Sequence, residues 1–132
     1  MALLPIGFRW GNLTPQVYKG DMKLVVLWMF PNLTSENPFI NILAHNKHGS
    51  VIVSIYDTVL LSHAMNWRMG MVIHFCKFRV VLYSPGFKIT RHKKRIVLYA
   101  DNWKTTGLVA NTERDLKFFN PPKKDVRVRV VF

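Results

Sequence analysis

Acidic residues are scarce in this chain. Seven Asp and Glu stand against nineteen Lys and Arg, for a formal charge of +12 and an isoelectric point near 10.3. The carboxylates are scattered, with no Asp-x-Asp spacing, so paired acid–base chemistry is not expected. Cysteine is rarer still. Cys76 stands alone, which excludes an internal disulfide and a four-cysteine zinc site and points to a reducing compartment. No apolar run has the length needed to span a bilayer, and the cations do not lie on an amphipathic helix. The opening Met-Ala-Leu-Leu-Pro-Ile has no cationic start and is too short for a signal peptide, so the sequons at Asn12 and Asn32 read as chance.

Chemistry-bearing motifs are also missing. There is no Walker loop and no Gly-x-Ser-x-Gly. His45 and His48 have a metal-compatible spacing but no third or fourth ligand, and read as turn histidines. His74 and Cys76 share a strand face with Val72, Phe78 and Val80, which predicts a buried structural pair rather than a catalytic one. The chain is expected not to be an enzyme, with no cofactor, metal or small-molecule substrate.

What is abundant is positive charge, clustered at residues 88–95 and 117–129. Charge in excess of what solubility needs favours a polyanionic partner. The 132 residues are enough for one domain and an extension, with an ordinary core.

Along the chain, residues 1–19 form a lead-in punctuated by Pro5, Gly7, Gly11 and Pro15. Strands are predicted at 23–30, 39–45 and 50–56, the last rich in β-branched residues. Between the first two lies a loop bounded by Pro31 and Pro38, and Gly49 suits the positive φ of a tight turn. Asp57 and Thr58 open a helix to about Trp67, and Gly70 ends it. Strands at 71–83 and 96–100 then flank the turn Ser84-Pro-Gly-Phe87, a hairpin signal. Five strands with a helix between the third and fourth are the plan of an OB-fold, an all-β Greek-key barrel with one short helix. Residues 20–106 form this domain. Residues 107–132 are a linker and a basic C-terminal strand or tail, with period-two alternation from Asp125 to Phe132. Trp28 and Trp67 are assigned to the core.

Leu24-Val-Val-Leu-Trp28, Gly49, Tyr56-Asp57, Gly70-x-Val72, Phe75 and Phe87-x-x-Thr90-x-His92 together resemble the DNA-binding OB-folds of the large subunit of replication protein A, and most of all the plant-type group of first-OB-fold paralogues. The likeness spans about residues 19–106. It implies that Tyr56 and Phe87 stack on bases. Ile52 and Val81 occupy positions where the family carries basic residues, and Lys77, Arg79 and Lys88 lie near enough to substitute. The resemblance also implies a nuclear location, a role in DNA replication, repair or recombination, and other replication protein A subunits as partners.

Rings and cations together fit a single strand, because every base has a π-face and every linkage a charge. The expected function is single-stranded DNA binding with little sequence preference. Tyr56 and Phe87 would stack, while Lys77, Arg79, Lys88, Arg91, Lys93, Lys94 and Arg95 track phosphates. The alternatives are single-stranded RNA binding and a protein-interaction barrel whose DNA binding has decayed. The Ile52 and Val81 departures favour the last.

Overall fold

The computed structural model describes residues 1–34, 36–82, 90, 92 and 94–98, with the backbone of Leu108–Val109. Its strands are β1 (Ala2–Leu3), β2 (Val17–Asn32), β3 (Phe39–Asn46), β4 (Gly49–Ile55), β5 (Val72–Leu82), β6 (Lys94–Leu98) and β7 (Leu108–Val109), and helix α1 (Thr58–Ala64) joins β4 to β5. The sheet order is β1-β2-β3-β4-β6-β5-β7, and β2 also pairs with β5. That last pairing closes β2, β3, β4, β6 and β5 into a barrel. With the helix between β4 and β5, this is an OB-fold.

The core follows from alternation. Leu24 and Val26 on β2, Ile40, Ile42 and Ala44 on β3, Val51, Val53 and Ile55 on β4, and Ile96 and Leu98 on β6 all point inward. On β5 the inward phase slips between Phe75 and Phe78, beside a register shift between Lys19 and Met22 in the β2–β5 pairing. This slip corrects the expectation for His74 and Cys76. Phe78 and Val80 face the core, whereas His74 and Cys76 are half-buried on the other side.

Helix α1 begins as its sequence demands. The Asp57 carboxylate accepts from the N–H groups of Val59 at 2.9 Å and Leu60 at 3.1 Å, satisfying orphan donors of the first turn. It ends at Ala64, one turn earlier than expected, and Trp67 is carried into the core by a following turn. Gly70 takes a φ of 85° and Gly49 one of 111°, both in the region that favours glycine.

Strand β2 starts six residues earlier than its continuous apolar run. Tyr18 and Met22 point inward while Lys19, Asp21 and Lys23 point out, and those charges hide the alternation. The chain ahead of β2 packs into the same core. Trp10 is 1 % exposed, lies edge-on to Phe8 and Phe78, and donates from its indole N–H to Asn46 Oδ1 at 3.1 Å. The sequence assigns Trp28 to the core, but it is half-buried on the outer face of the barrel. A register shift between Val26 and Trp28 turns it outward and leaves Met29 against the core. The helix and the barrel strands otherwise lie where the sequence places them, within a few residues. The 83–89 turn and the 110–132 segment lie outside the described residues.

Candidate nucleic-acid interface

Strand pairing lays two rows of side chains across the outside of the barrel. One row is Phe30, Asn41, Ser54, Val97 and Arg79, on β2, β3, β4, β6 and β5. The next is Trp28, Leu43, Ile52, Arg95 and Val81 on the same strands. Directly paired residues share a face, so these rows form one surface. Leu43 and Ile52 in its middle are 1 % and 0 % exposed although they lie outside the core cluster. The two positions where the related family carries cations, Ile52 and Val81, are therefore the two strand neighbours of Arg95.

At one edge of this surface stands Tyr56, 40 % exposed just past the end of β4. Its ring lies 5.3 Å from that of Phe39, tilted by 35°. Arg95 Nη1 donates to the Tyr56 hydroxyl at 2.8 Å and to Ser54 Oγ at 3.2 Å, with the guanidinium carbon 5.7 Å from the ring centroid. Ser54 Oγ in turn donates to Asn41 Oδ1 at 2.6 Å. A planar fork that holds two oxygens from one nitrogen fixes the ring without consuming its face. Arg95 Nη2 has no protein partner among the described residues, so it remains open to a phosphate.

The other described cations run along β5 and β2. Lys77 and Arg79 point outward from β5, and Lys77 sits directly opposite Lys19. Like charges in register repel, and a bound anion removes that cost. Among the described residues Lys77, Arg79 and Arg95 have no acidic partner, and the nearby Asp21 carboxylate lies 3.9 Å from His74 Nε2 instead. Lys94 faces elsewhere, toward Tyr18. Burial acts to push the Tyr18 phenol up, but hydrogen bonds from Thr14 and Gln16 and the Lys94 charge hold it below its ordinary value.

Of the predicted site residues, the structure therefore brings Tyr56 and Arg95 into contact. It places Arg79 diagonally beside Arg95 and Lys77 two residues further along. Lys94 it sets apart. Phe87, Lys88, Arg91 and Lys93 lie outside the described residues. His92, read as part of the basic run, is a clamp. Its Nε2 lies 2.6 Å from the Ser50 carbonyl and its Nδ1 accepts from the Lys94 N–H at 3.2 Å, so the Nε2–H tautomer is the one that fits. His45 is buried with its Nδ1 unpartnered, and burial depresses its basicity. His48 stacks on Phe8 at 3.9 Å with Nδ1 3.0 Å from the Phe8 carbonyl. Burial, with the charges of Lys47 and Arg9, lowers it in spite of that bond.

The sequence reading missed Trp28, Phe30, Phe39 and Asn41 as members of this face. A period-two pattern of Trp28 and Phe30 around Met29 was there to be seen, but an apolar run on both faces reads as a wholly buried strand.

A scan against known protein families finds no match, and a search of curated proteins finds no relative. Among solved structures, the chain is similar to a replication protein A heterotrimer bound to ssDNA, with a TM-score of 0.59 and 14% identity over 91% of this chain and 27% of that one. It is also similar to p202 HIN1 in complex with a 12-mer dsDNA, at a TM-score of 0.50 and 12% identity over 85% and 49%. A structure described as the molecular basis for abrogation of activation of pro-inflammatory cytokines matches with a TM-score of 0.50 and 13% identity, over 83% and 49%. At such identities the likeness establishes the fold. The chain spans about a quarter to a half of the length of these three chains.

Proposed function

We propose that this OB-fold binds single-stranded nucleic acid, DNA before RNA, across the outer face of β3, β4 and β6. The observation that carries the reading is the Tyr56–Arg95 contact. An exposed ring is held by a half-buried guanidinium that keeps donors to spare, beside the outward cations Arg79 and Lys77. Base stacking on such a ring is sequence-tolerant, and cations along the groove draw the strand in by releasing counterions. The similarity to structures that carry ssDNA and dsDNA supports a DNA partner. We assign no catalytic step. The reading extends to a nuclear role in replication, repair or recombination, with other subunits of a replication protein A type as partners.

The test is a titration of the whole chain with fluorescent oligo-dT, oligo-U and a duplex of equal length. Tightest binding to oligo-dT is expected. A folded protein that binds neither single strand would select the other reading, a protein-interaction barrel, which the apolar Ile52 and Val81 beside Arg95 favour. Tighter binding to the duplex would move the site to double strands.

A further inference from the structure

We infer that Asn41 reads the edge of a base lying on the outer face and favours thymine and uracil over adenine. The inference rests on the single-strand reading above and goes beyond it, because stacking and phosphate contacts alone carry little base information. Asn41 is half-buried on β3, paired with Phe30 on one side and Ser54 on the other, and two residues along the same strand face from Phe39. It is thus the amide of a face whose neighbours at that edge are Phe30, Phe39 and Tyr56. Its oxygen is committed: Oδ1 accepts from Ser54 at 2.6 Å, and Ser54 Oγ accepts from Arg95 Nη1 at 3.2 Å. Arg95 uses the same nitrogen on the Tyr56 hydroxyl, so the stacking ring and the amide are oriented by one cation. The Asn41 NH2 group has no protein partner among the described residues.

An amide with its oxygen turned onto Ser54 presents donors only. Adenine is read by asparagine through two bonds at once, one donated and one accepted, and the accepting half is engaged here. Thymine and uracil carry two carbonyl oxygens, which ask only for donors. The ring-and-amide pair therefore discriminates among bases that stack equally well.

The experiment compares oligo-dT with oligo-dA of equal length by fluorescence anisotropy, for the native chain and for Asn41→Ala. Thermal melting confirms that each protein is folded. Self-stacking of oligo-dA affects both proteins alike, so the readout is the change in the dT-to-dA ratio. Losing one net hydrogen bond predicts about a fivefold fall in oligo-dT affinity with oligo-dA nearly unchanged. Ser54→Ala, which frees Oδ1, should narrow the ratio from the other side by improving oligo-dA, and it serves also where Asn41→Ala does not fold. A ratio unchanged in both variants overturns the inference while leaving single-strand binding intact. Failure of the native chain to bind either oligomer overturns the single-strand reading itself, and the inference with it.

Discussion

Arg95 and Tyr56 are joined by a 2.8 Å hydrogen bond between a half-buried guanidinium and an exposed phenol, thirty-nine positions apart in the chain. The bond ties the start of β6 to the end of β4, and it makes the most exposed ring of the face also one of its better-oriented ones. Tyr56→Ala should weaken oligo-dT binding by about 1–3 kcal/mol, the usual worth of one stack, with little loss of thermal stability. Tyr56→Phe keeps the ring and should retain most of that affinity. A Phe variant as weak as the Ala variant would mean that orientation by Arg95, not stacking area, is what matters.

Removing charge should have a different signature. In the Lys77→Ala, Arg79→Ala double variant, the slope of log K against log salt should shrink by about 0.7 for each phosphate that is no longer neutralised. Tyr56→Ala should leave the slope nearly unchanged, since a stack releases no counterions. Equal slopes in the native and double-variant proteins would remove these two cations from the interface.

Stability should report the tryptophans in the opposite order to the one their sequence context suggests. Trp10→Ala should cost about 3–5 kcal/mol in chemical denaturation, because it empties a buried site. It also leaves Asn46 Oδ1 without its indole donor, though the His48 N–H still reaches that oxygen at 2.9 Å. Trp28→Ala should cost much less. A larger loss from Trp28 would place that ring, not Trp10, at the centre of the fold.

Gly11 and His92 test the clamp. A Cβ at Gly11 would lie 2.7 Å from the His92 Cβ, a contact that forces a shift. Since His92 bonds the Ser50 carbonyl and the Lys94 N–H, Gly11→Ala should lower the melting temperature and weaken binding through displaced β6 cations. A melting temperature matching the native protein would show that the two segments move apart freely.

Acid should destabilise the barrel through His45 and His48. Both are held below the ordinary histidine value in the fold, chiefly by burial. Above the unfolded value of about 6.5 neither state is protonated and this contribution is complete. As pH falls below that value the unfolded chain takes up protons that the fold refuses, so stability declines toward the lower folded values. Melts across that range should show the decline, and His45→Leu should flatten it. An equally steep decline in that variant would assign the effect to other groups.

Much of the barrel is legible in the sequence. The β-branched runs, Asp57 as helix cap, Gly49 and Gly70 at positive φ, and the loop between two prolines are local signals, and each sits where local chemistry requires it. Tyr56 and Arg95 were also recognisable as a ring and a cation at strand ends. Their contact was not, because it depends on the parallel pairing of β4 with β6, which is set by barrel closure.

What only the tertiary structure decided is facing. Period-two alternation says that neighbours point opposite ways, but not which way is in. Register slips at Val26/Trp28 on β2 and between Phe75 and Phe78 on β5 exchange inside and outside without leaving a mark in the composition. Those slips turned Trp28 and His74 outward and Phe78 inward. The lead-in depended on the fold in the same way: Trp10 finds its place only when Asn46, Phe78 and His48, remote in sequence, have been gathered by strand pairing. The sequence by itself determined a basic chain with five barrel strands and a capped helix, since propensity, turns and charge are local properties. Which rings reach the surface, and which cation holds them, depended on register, and register is a property of the closed barrel.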